Sequence, residues 1–187
     1  MPVELIVVIV IAVLGLAFLL LTYNRLIAMR NAVRNAWSDI DVQLTRRHDL
    51  VPNLVEAVKG YMTHERETLE AVTRARAQAV AGVGGMDITA RAVAETMLGS
   101  AVNNLLMTAE RYPELKASNN FTILQEQLTS TENRIAFARQ HYNDSVRRFN
   151  TAIAEFPRNV IAGPLGFRAE QLFAAEASDR AAAQVQL

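Results

Sequence analysis

The chain has 187 residues, with 19 Lys and Arg against 19 Asp and Glu, a formal net charge of zero and no cysteine. Disulfides, thiolate catalysis, iron–sulfur clusters and thiolate zinc sites are thereby excluded, and a balanced charge supplies no field to hold a polyanion, which argues against nucleic acid as a partner. The length allows one compact domain with an appendage.

The appendage is the N-terminus. From Leu5 to Leu21 no side chain is charged or strongly polar, and Val3, Thr22 and Tyr23 extend the run to the length of a bilayer-spanning helix, about 17–25 residues. A cleaved secretory signal would carry a positive n-region and a small-residue cleavage site. Here Glu4 is the sole charge before the run, and Thr22-Tyr23-Asn24-Arg25 follows it. An uncleaved transmembrane anchor over residues 1–22 is therefore expected. Arg25, Arg30 and Arg34 follow the span and no Lys or Arg precedes it. Basic residues flanking a span stay on the cytoplasmic side, which puts the N-terminus outside and the remaining chain in the cytoplasm.

Between Gly15 and Pro52 there is neither Gly nor Pro, so nothing obliges the anchor helix to stop as it leaves the bilayer. Leu26, Met29, Val33, Trp37, Ile40 and Leu44 form one apolar stripe at helical spacing. Gln43 falls near this stripe, so it lies at the edge or meets a polar group. Pro52 removes a bond to the His48 carbonyl, and is read as a tight kink or as a restart capped by Asp49. A second helix buries Val51, Leu54, Val55, Val58, Met62, Leu69 and Val72 and ends before Gly82. Residues 82–87 are a turn, with Asp87 as N-cap of a third helix. That helix spans about Ile88 to Tyr112, with Leu98, Val102, Leu105, Ala109 and Tyr112 on one stripe and Gly99 weakening it by about 1 kcal/mol; Pro113 stops it. The fourth helix, capped among Ser118, Asn119 and Asn120, repeats Phe121, Leu128, Ile135, Tyr142, Phe149 and Phe156 every seven residues. Mostly small groups from Leu124 to Ala152 fill the alternate core position. Such a repeat demands long partner helices crossing at about 20°. The reading is an all-α chain whose transmembrane helix continues into an elongated antiparallel four-helix bundle. Phe167 to Ala177 could add a short helix laying Phe167, Leu172 and Phe173 on that bundle.

Chemical motifs are sparse. His64-Glu65-Arg66-Glu67-Thr68 opens like a helical zinc-protease motif but has Thr68 where the second His is required. Di-iron bundles need Glu-x-x-His on two helices, and Thr45, Tyr61 and Ala138 stand three before His48, His64 and His141. The histidines are read as exposed or capping, with no metal and no cofactor. The glycines at 82, 84 and 85 lack the preceding strand and following Lys-Ser/Thr of a phosphate loop. The sequons at Asn120 and Asn143 lie on helices assigned to the cytoplasm, which argues against glycosylation. No catalytic triad or carboxylate pair is evident. What remains is a polar concentration on the first helix, including Asn35, Asp39, Asp41, Arg46, Arg47, Asp49 and Asn53. It is either a solvated face or a surface for a protein partner.

The residues that carry a resemblance are Ala36-Trp37-Ser38-Asp39-Ile40-Asp41-Val42-Gln43-Leu44, Arg46-Arg47, Asp49-Leu50-Val51-Pro52-Asn53-Leu54-Val55, Lys59-Gly60-Tyr61, His64-Glu65, Tyr112-Pro113-Glu114-Leu115-Lys116, Tyr142-Asn143, Phe156-Pro157 and Gly166-Phe167. In these stretches the chain resembles the LemA family of bacterial membrane-anchored helical proteins. The resemblance covers roughly Tyr23 to Phe167, leaving residues 168–187 as a tail. It implies a single-pass anchor in the inner membrane, a bundle of long antiparallel helices and no enzyme. A magnetosome-membrane relative suggests a role in organising membranes or protein assemblies, an analogy at the level of fold. The expected function is a membrane-tethered scaffold of the cell envelope. Its partners are the lipid bilayer, membrane or cytoplasmic proteins and further copies of itself. The alternative is a ligand sensor or enzyme using an interhelical cleft, with His64, Glu65 and the Asp39 to Asp49 region as its polar groups.

Overall fold

The computed structural model describes residues 3–82 and 87–173. Among them there are helices and no strand: α1 (Val3–Lys59), α2 (Arg66–Ala81), α3 (Ile88–Ala109), α4 (Pro113–Lys116), α5 (Asn119–Ala154) and α6 (Arg158–Ala162). The chain is all-α, as its periodicity predicts.

The 57 residues of α1 run without interruption through Pro52, so the expected kink or restart at that position is not a break in the helix. The break comes later. Gly60 follows Lys59, and Tyr61 and Met62 both donate to the Val58 carbonyl at 3.0 and 2.9 Å, closing the helix end. Met62 is fully buried there, and Glu65 precedes α2. Early in α1, the side chains from Leu5 to Leu21 are largely exposed, and the helix contains a window of mean hydropathy 3.2. It is long and apolar enough to cross a membrane.

The chain divides into two compact units. One takes residues up to Trp37 with His141 to Glu170, the other Ser38 to Gln140 with the segment from Gln171. In the first, Leu26, Val33, Ala36, Tyr142, Val146, Phe149, Ala152, Ala162 and Phe167 are buried. Trp37 meets Tyr142 edge-on with ring centroids 5.4 Å apart, and Phe167 meets Tyr23 at 5.9 Å and Phe149 at 6.3 Å. The Arg30 guanidinium lies 5.2 Å from the centroid of the Phe167 ring. Two devices place Phe167. Gly166 adopts φ +77, a conformation open to glycine, and the Phe167 N–H then donates to the Ala162 carbonyl at 3.0 Å. Downstream, the Asn150 side chain donates to the Glu170 carbonyl and accepts from the Glu170 N–H, each at 2.9 Å.

In the second unit, Val51, Leu54 and Val58 of α1, Val72 and Ala79 of α2, Leu98, Val102, Leu105 and Ala109 of α3, Leu115 of α4, and Phe121 and Leu128 of α5 form one buried cluster. Asp87 caps α3, accepting from the Thr89 N–H as expected. The helix ends at Ala109 rather than Tyr112, and the four-residue α4 begins on Pro113. Residues 83–86 of the expected glycine-rich turn lie outside the described residues.

The seven-residue line of α5 is buried from Phe121 through Leu128, Ile135, Tyr142 and Phe149, but Phe156 is 80% exposed. The helix has ended at Ala154, so the periodicity no longer fixes where Phe156 points. The segment 167–173 is not helical. Phe167 and Phe173 are buried as expected while Leu172 is exposed. Outside a helix the spacing of the sequence no longer sets which side chains share a face, and Leu172 and Phe173 do not. Residues 174–177 of that expected helix lie outside the described residues.

Candidate functional site

The apolar stripe of α1 continues past Leu44 at alternating steps of three and four: Ile40, Leu44, position 47, Val51, Leu54, Val58. Position 47 is Arg47. On α3 the same spacing runs Leu98, Val102, Leu105, Ala109 and, read backwards, reaches Glu95 and Arg91. Charged side chains thus occupy core positions on two packed helices, and Arg47 and Glu95 are each only 3% exposed.

They are buried because they meet. Arg47 Nη2 donates to Glu95 Oε2 at 2.5 Å and to the Glu95 carbonyl at 3.0 Å, while Nη1 donates to both carboxylate oxygens of Glu132 on α5, at 2.8 and 3.1 Å. The other Glu95 oxygen lies 3.0 Å from Nε2 of the neighbouring His48. An ionised carboxylate only accepts, so this ring nitrogen carries the hydrogen. Burial alone pushes the Glu95 carboxyl up. The hydrogen bonds from His48 and Arg47, with their charges, outweigh it and hold the group below the ordinary carboxylate value. One turn away Arg91 pairs with Asp41 of α1.

Gly99 makes room for this network. A Cβ at position 99 would stand 3.3 Å from Arg47 Nη1, tighter than an ordinary contact, against a guanidinium already held by two carboxylates. Pro52 has a counterpart as well. Lacking an N–H, it leaves the His48 carbonyl without its intrahelical donor, and Arg76 of α2 supplies one, Nε to O at 2.7 Å. Beside the network is a cleft of about 210 Å³ lined by Arg47, Glu95, Ser100, Asn103, Glu132 and Arg139, among others.

The structure sorts the sequence candidates. Asn35, Asp39, Arg46, Asp49 and Asn53 are exposed on α1, Asp41 is half-buried, and Arg47 is turned into the core. Arg47 is therefore no part of an exposed surface, because its helical register coincides with the apolar stripe. His48, expected to be exposed or capping, is likewise buried against Glu95, whereas His64 and His141 are exposed. Glu65 accepts from Arg111 Nη2 at 2.8 Å and from the Tyr112 hydroxyl at 3.2 Å, tying the turn before α2 to the end of α3. Gln43 is half-buried, at the edge of the stripe, the first of its two expected places, and its Oε1 has no hydrogen-bond partner among the described residues. Glu95 and Glu132 went unnoticed as sequence features. The signal that could have found Glu95 was a charge of opposite sign to Arg47 at a core position of a second helix. Among the described residues no group of three or more His, Cys, Asp or Glu side chains is placed to hold a metal ion.

Comparison with known proteins adds an independent line. Residues 36–187 match the model of the LemA family. The chain is 26% identical over 181 residues to magnetosome protein MamQ 1 of Paramagnetospirillum magneticum, covering 84% of this chain and 66% of that protein. It is 26% identical over 180 residues to MamQ of Magnetospirillum gryphiswaldense, covering 83% and 65%. Protein LemA of Metamycoplasma hominis is 26% identical over 159 residues, covering 84% and 71%. The chain spans just under two thirds of the length of the MamQ relatives.

Proposed function

Because this chain belongs to the LemA family, we propose that it is a membrane-tethered helical scaffold of the bacterial inner membrane. Its anchor crosses the bilayer once, its N-terminus lies outside, and its later helices form an antiparallel four-helix bundle in the cytoplasm that engages membrane or cytoplasmic proteins and further copies of itself. The observation that carries this reading is the double character of α1. One unbroken helix has an uncovered apolar stretch from Leu5 to Leu21 and, farther along, supplies Val51, Leu54 and Val58 to a packed core. The internal charges favour scaffolding over chemistry, since Arg47, Glu95, Glu132 and His48 are engaged with one another. The exposed set Asn35, Asp39, Arg46, Asp49 and Asn53 is the candidate partner surface, and the names of the MamQ relatives, which attach those proteins to the magnetosome, are consistent with assembly at a membrane.

The test is photo-crosslinking from Asn35 and Asn53 in intact cells, followed by solubilisation of the membrane. Discrete adducts that disappear in the Asp39→Ala, Arg46→Ala double variant, with its helical signal and melting temperature kept, support a recognition surface. Unchanged adducts return these residues to an ordinary solvated face, since exposed ion pairs contribute only about 0–1 kcal/mol.

A second reading, a ligand sensor or enzyme, is favoured by one observation, the polar cleft beside Arg47 and Glu132. At about 210 Å³ it is smaller than usual ligand pockets, which measure about 300–1,000 Å³. A small molecule co-purifying with the chain, and lost on Glu132→Gln, would move the assignment to this reading.

A further inference from the structure

The corner after α5 exposes apolar side chains that the packing around it does not explain. Phe156 is 80% exposed, Val160 62% and Leu165 44%, while Ala162 between them is buried. The corner is built to hold them outward. The Leu165 N–H donates to the Ile161 carbonyl at 3.2 Å and the Phe167 N–H to Ala162 at 3.0 Å, and the Phe167 ring closes on Tyr23, Arg30 and Phe149.

Where this corner stands along α1 follows from the ring contacts of the same unit. Trp37 touches Tyr142. Within α1, Tyr23 stands about 21 Å from Trp37 at about 1.5 Å per helical residue, and Ala154, where α5 ends just before Phe156, stands about 18 Å from Tyr142 by the same rise. Phe156 is thus about level with Tyr23, where the apolar run of α1 gives out. The buried Thr22, the first polar position after that run, shows that the unit still covers α1 at this height. Arg25 and Arg168 are exposed nearby in sequence, and Arg158 is held by Glu155 at 3.5 Å. Aromatic and aliphatic side chains with flanking arginines, at the height where a span meets water, are the composition of an interfacial membrane contact.

We propose that this corner is a second membrane contact, with Phe156, Val160 and Leu165 seated at the headgroup boundary of the bilayer that α1 crosses. The inference rests on the anchor reading above. It makes the chain bear on the lipid surface at two points, which limits tilting and rotation of the helices about the anchor.

The native chain lacks cysteine, so single labels can be introduced cleanly. The full-length chain carrying an environment-sensitive fluorophore at Asn159→Cys, at Asn133→Cys on the exposed side of α5, or at Val10→Cys within the apolar run is placed in nanodiscs of mixed phosphatidylcholine and phosphatidylglycerol. The bilayer contains either shallow or deep spin-labelled lipid. The expected result is deep quenching at Val10, shallow quenching at Asn159 exceeding that at Asn133 by at least roughly twofold, and loss of that excess when Phe156→Ser and Val160→Ser are added, as burial-driven interfacial binding requires. Quenching at Val10 with Asn159 no different from Asn133 overturns the second contact and leaves the anchor standing. So does an Asn159 label shielded from aqueous iodide but untouched by lipid quenchers, since a protein segment then covers the corner. Quenching at Asn159 that survives the double serine variant also overturns it. No quenching at Val10 removes the anchor and the second contact together.

Discussion

Arg47 and Glu95 share an ion pair inside an apolar core, and breaking that pair should differ from replacing it. Glu95→Ala leaves the Arg47 guanidinium buried with only Glu132 for compensation, and should destabilise the chain by about 3–5 kcal/mol. Replacing both residues with methionine removes the uncompensated charge and should recover much of that loss, because an apolar pair of similar volume is often as stable as a buried ion pair. Denaturant titrations of the full chain in detergent, comparing the single with the double variant, check this; a double variant no more stable than the single would show that the pair itself, rather than its balance, holds the helices. The same carboxylate sets a pH dependence. Its folded pKa is lowered, so the stability it contributes is complete above the ordinary value of 4.5 and is lost as pH falls through the lowered value. Melting temperature should drop on acidification below about that point, less steeply in Glu95→Gln. Tyr142 works in the opposite sense. Burial, then the Glu170 carboxylate, push its hydroxyl up to about 12, so its contribution is whole below the ordinary 10 and fades between there and 12. Gly99→Ala, which would normally strengthen a helix by about 1 kcal/mol, should here give no gain or a loss, because the new methyl meets the anchored Arg47.

At the scale of elements, α1 crosses Pro52 because another helix completes its hydrogen bonding. Removing the Arg76 guanidinium by Arg76→Met leaves the His48 carbonyl without a donor and should cost about 1–3 kcal/mol. In a Pro52→Ala background the restored N–H can reach that carbonyl within the helix, so the same Arg76→Met change should cost markedly less. A double-mutant cycle reads this coupling directly, and additive effects would show that Arg76 acts elsewhere. On α5, Leu128→Ala or Ile135→Ala should each destabilise by about 2–5 kcal/mol through lost methyl groups and the cavity left behind, with Glu126→Ala within about 0.5 kcal/mol; equal denaturation midpoints would contradict the burial of that line. These elements also mark what a reader of the sequence could reach. The seven-residue repeat from Phe121 to Phe149, the apolar stripe of α1 and the Asp87 cap were legible because each follows from local spacing. Pro52 was not: its missing donor is local, but the residue that compensates is on α2, and no property of one helix announces it. Arg47 was hidden by its type. A charge at a core position reads as surface until its partner on another helix is identified, although the three-and-four spacing that runs through Arg47 and Glu95 held the clue. Phe156 escaped for the opposite reason, since it continued the spacing after the helix had stopped.

For the whole molecule, orientation is the property on which the functional reading turns, and its argument is electrostatic. Arg25, Arg30 and Arg34 stand on the first turns of α1 beyond the apolar run, and moving such cations across a bilayer is what membrane insertion avoids. Balanced charge over the full chain adds no opposing bias, because Asp and Glu contribute little to topology. A reporter fused after Leu187 should therefore be active in the cytoplasm, and in intact spheroplasts the chain beyond Arg25 should resist added protease until the membrane is permeabilised. The same balanced charge leaves little repulsion between copies, and an anchor confines them to two dimensions, so self-association should be seen in nanodiscs or detergent by mass photometry, with only monomers over a tenfold concentration range as the contrary result. If the three arginines set the orientation, then Arg25→Glu with Arg30→Glu and Arg34→Glu should scramble it, giving a mixed population in the protease assay while the helical signal is unchanged. Cleavage of the unmodified chain in intact spheroplasts would place the helices outside the cell, and the partners sought for Asp39 and Arg46 would then have to be envelope proteins rather than cytoplasmic ones.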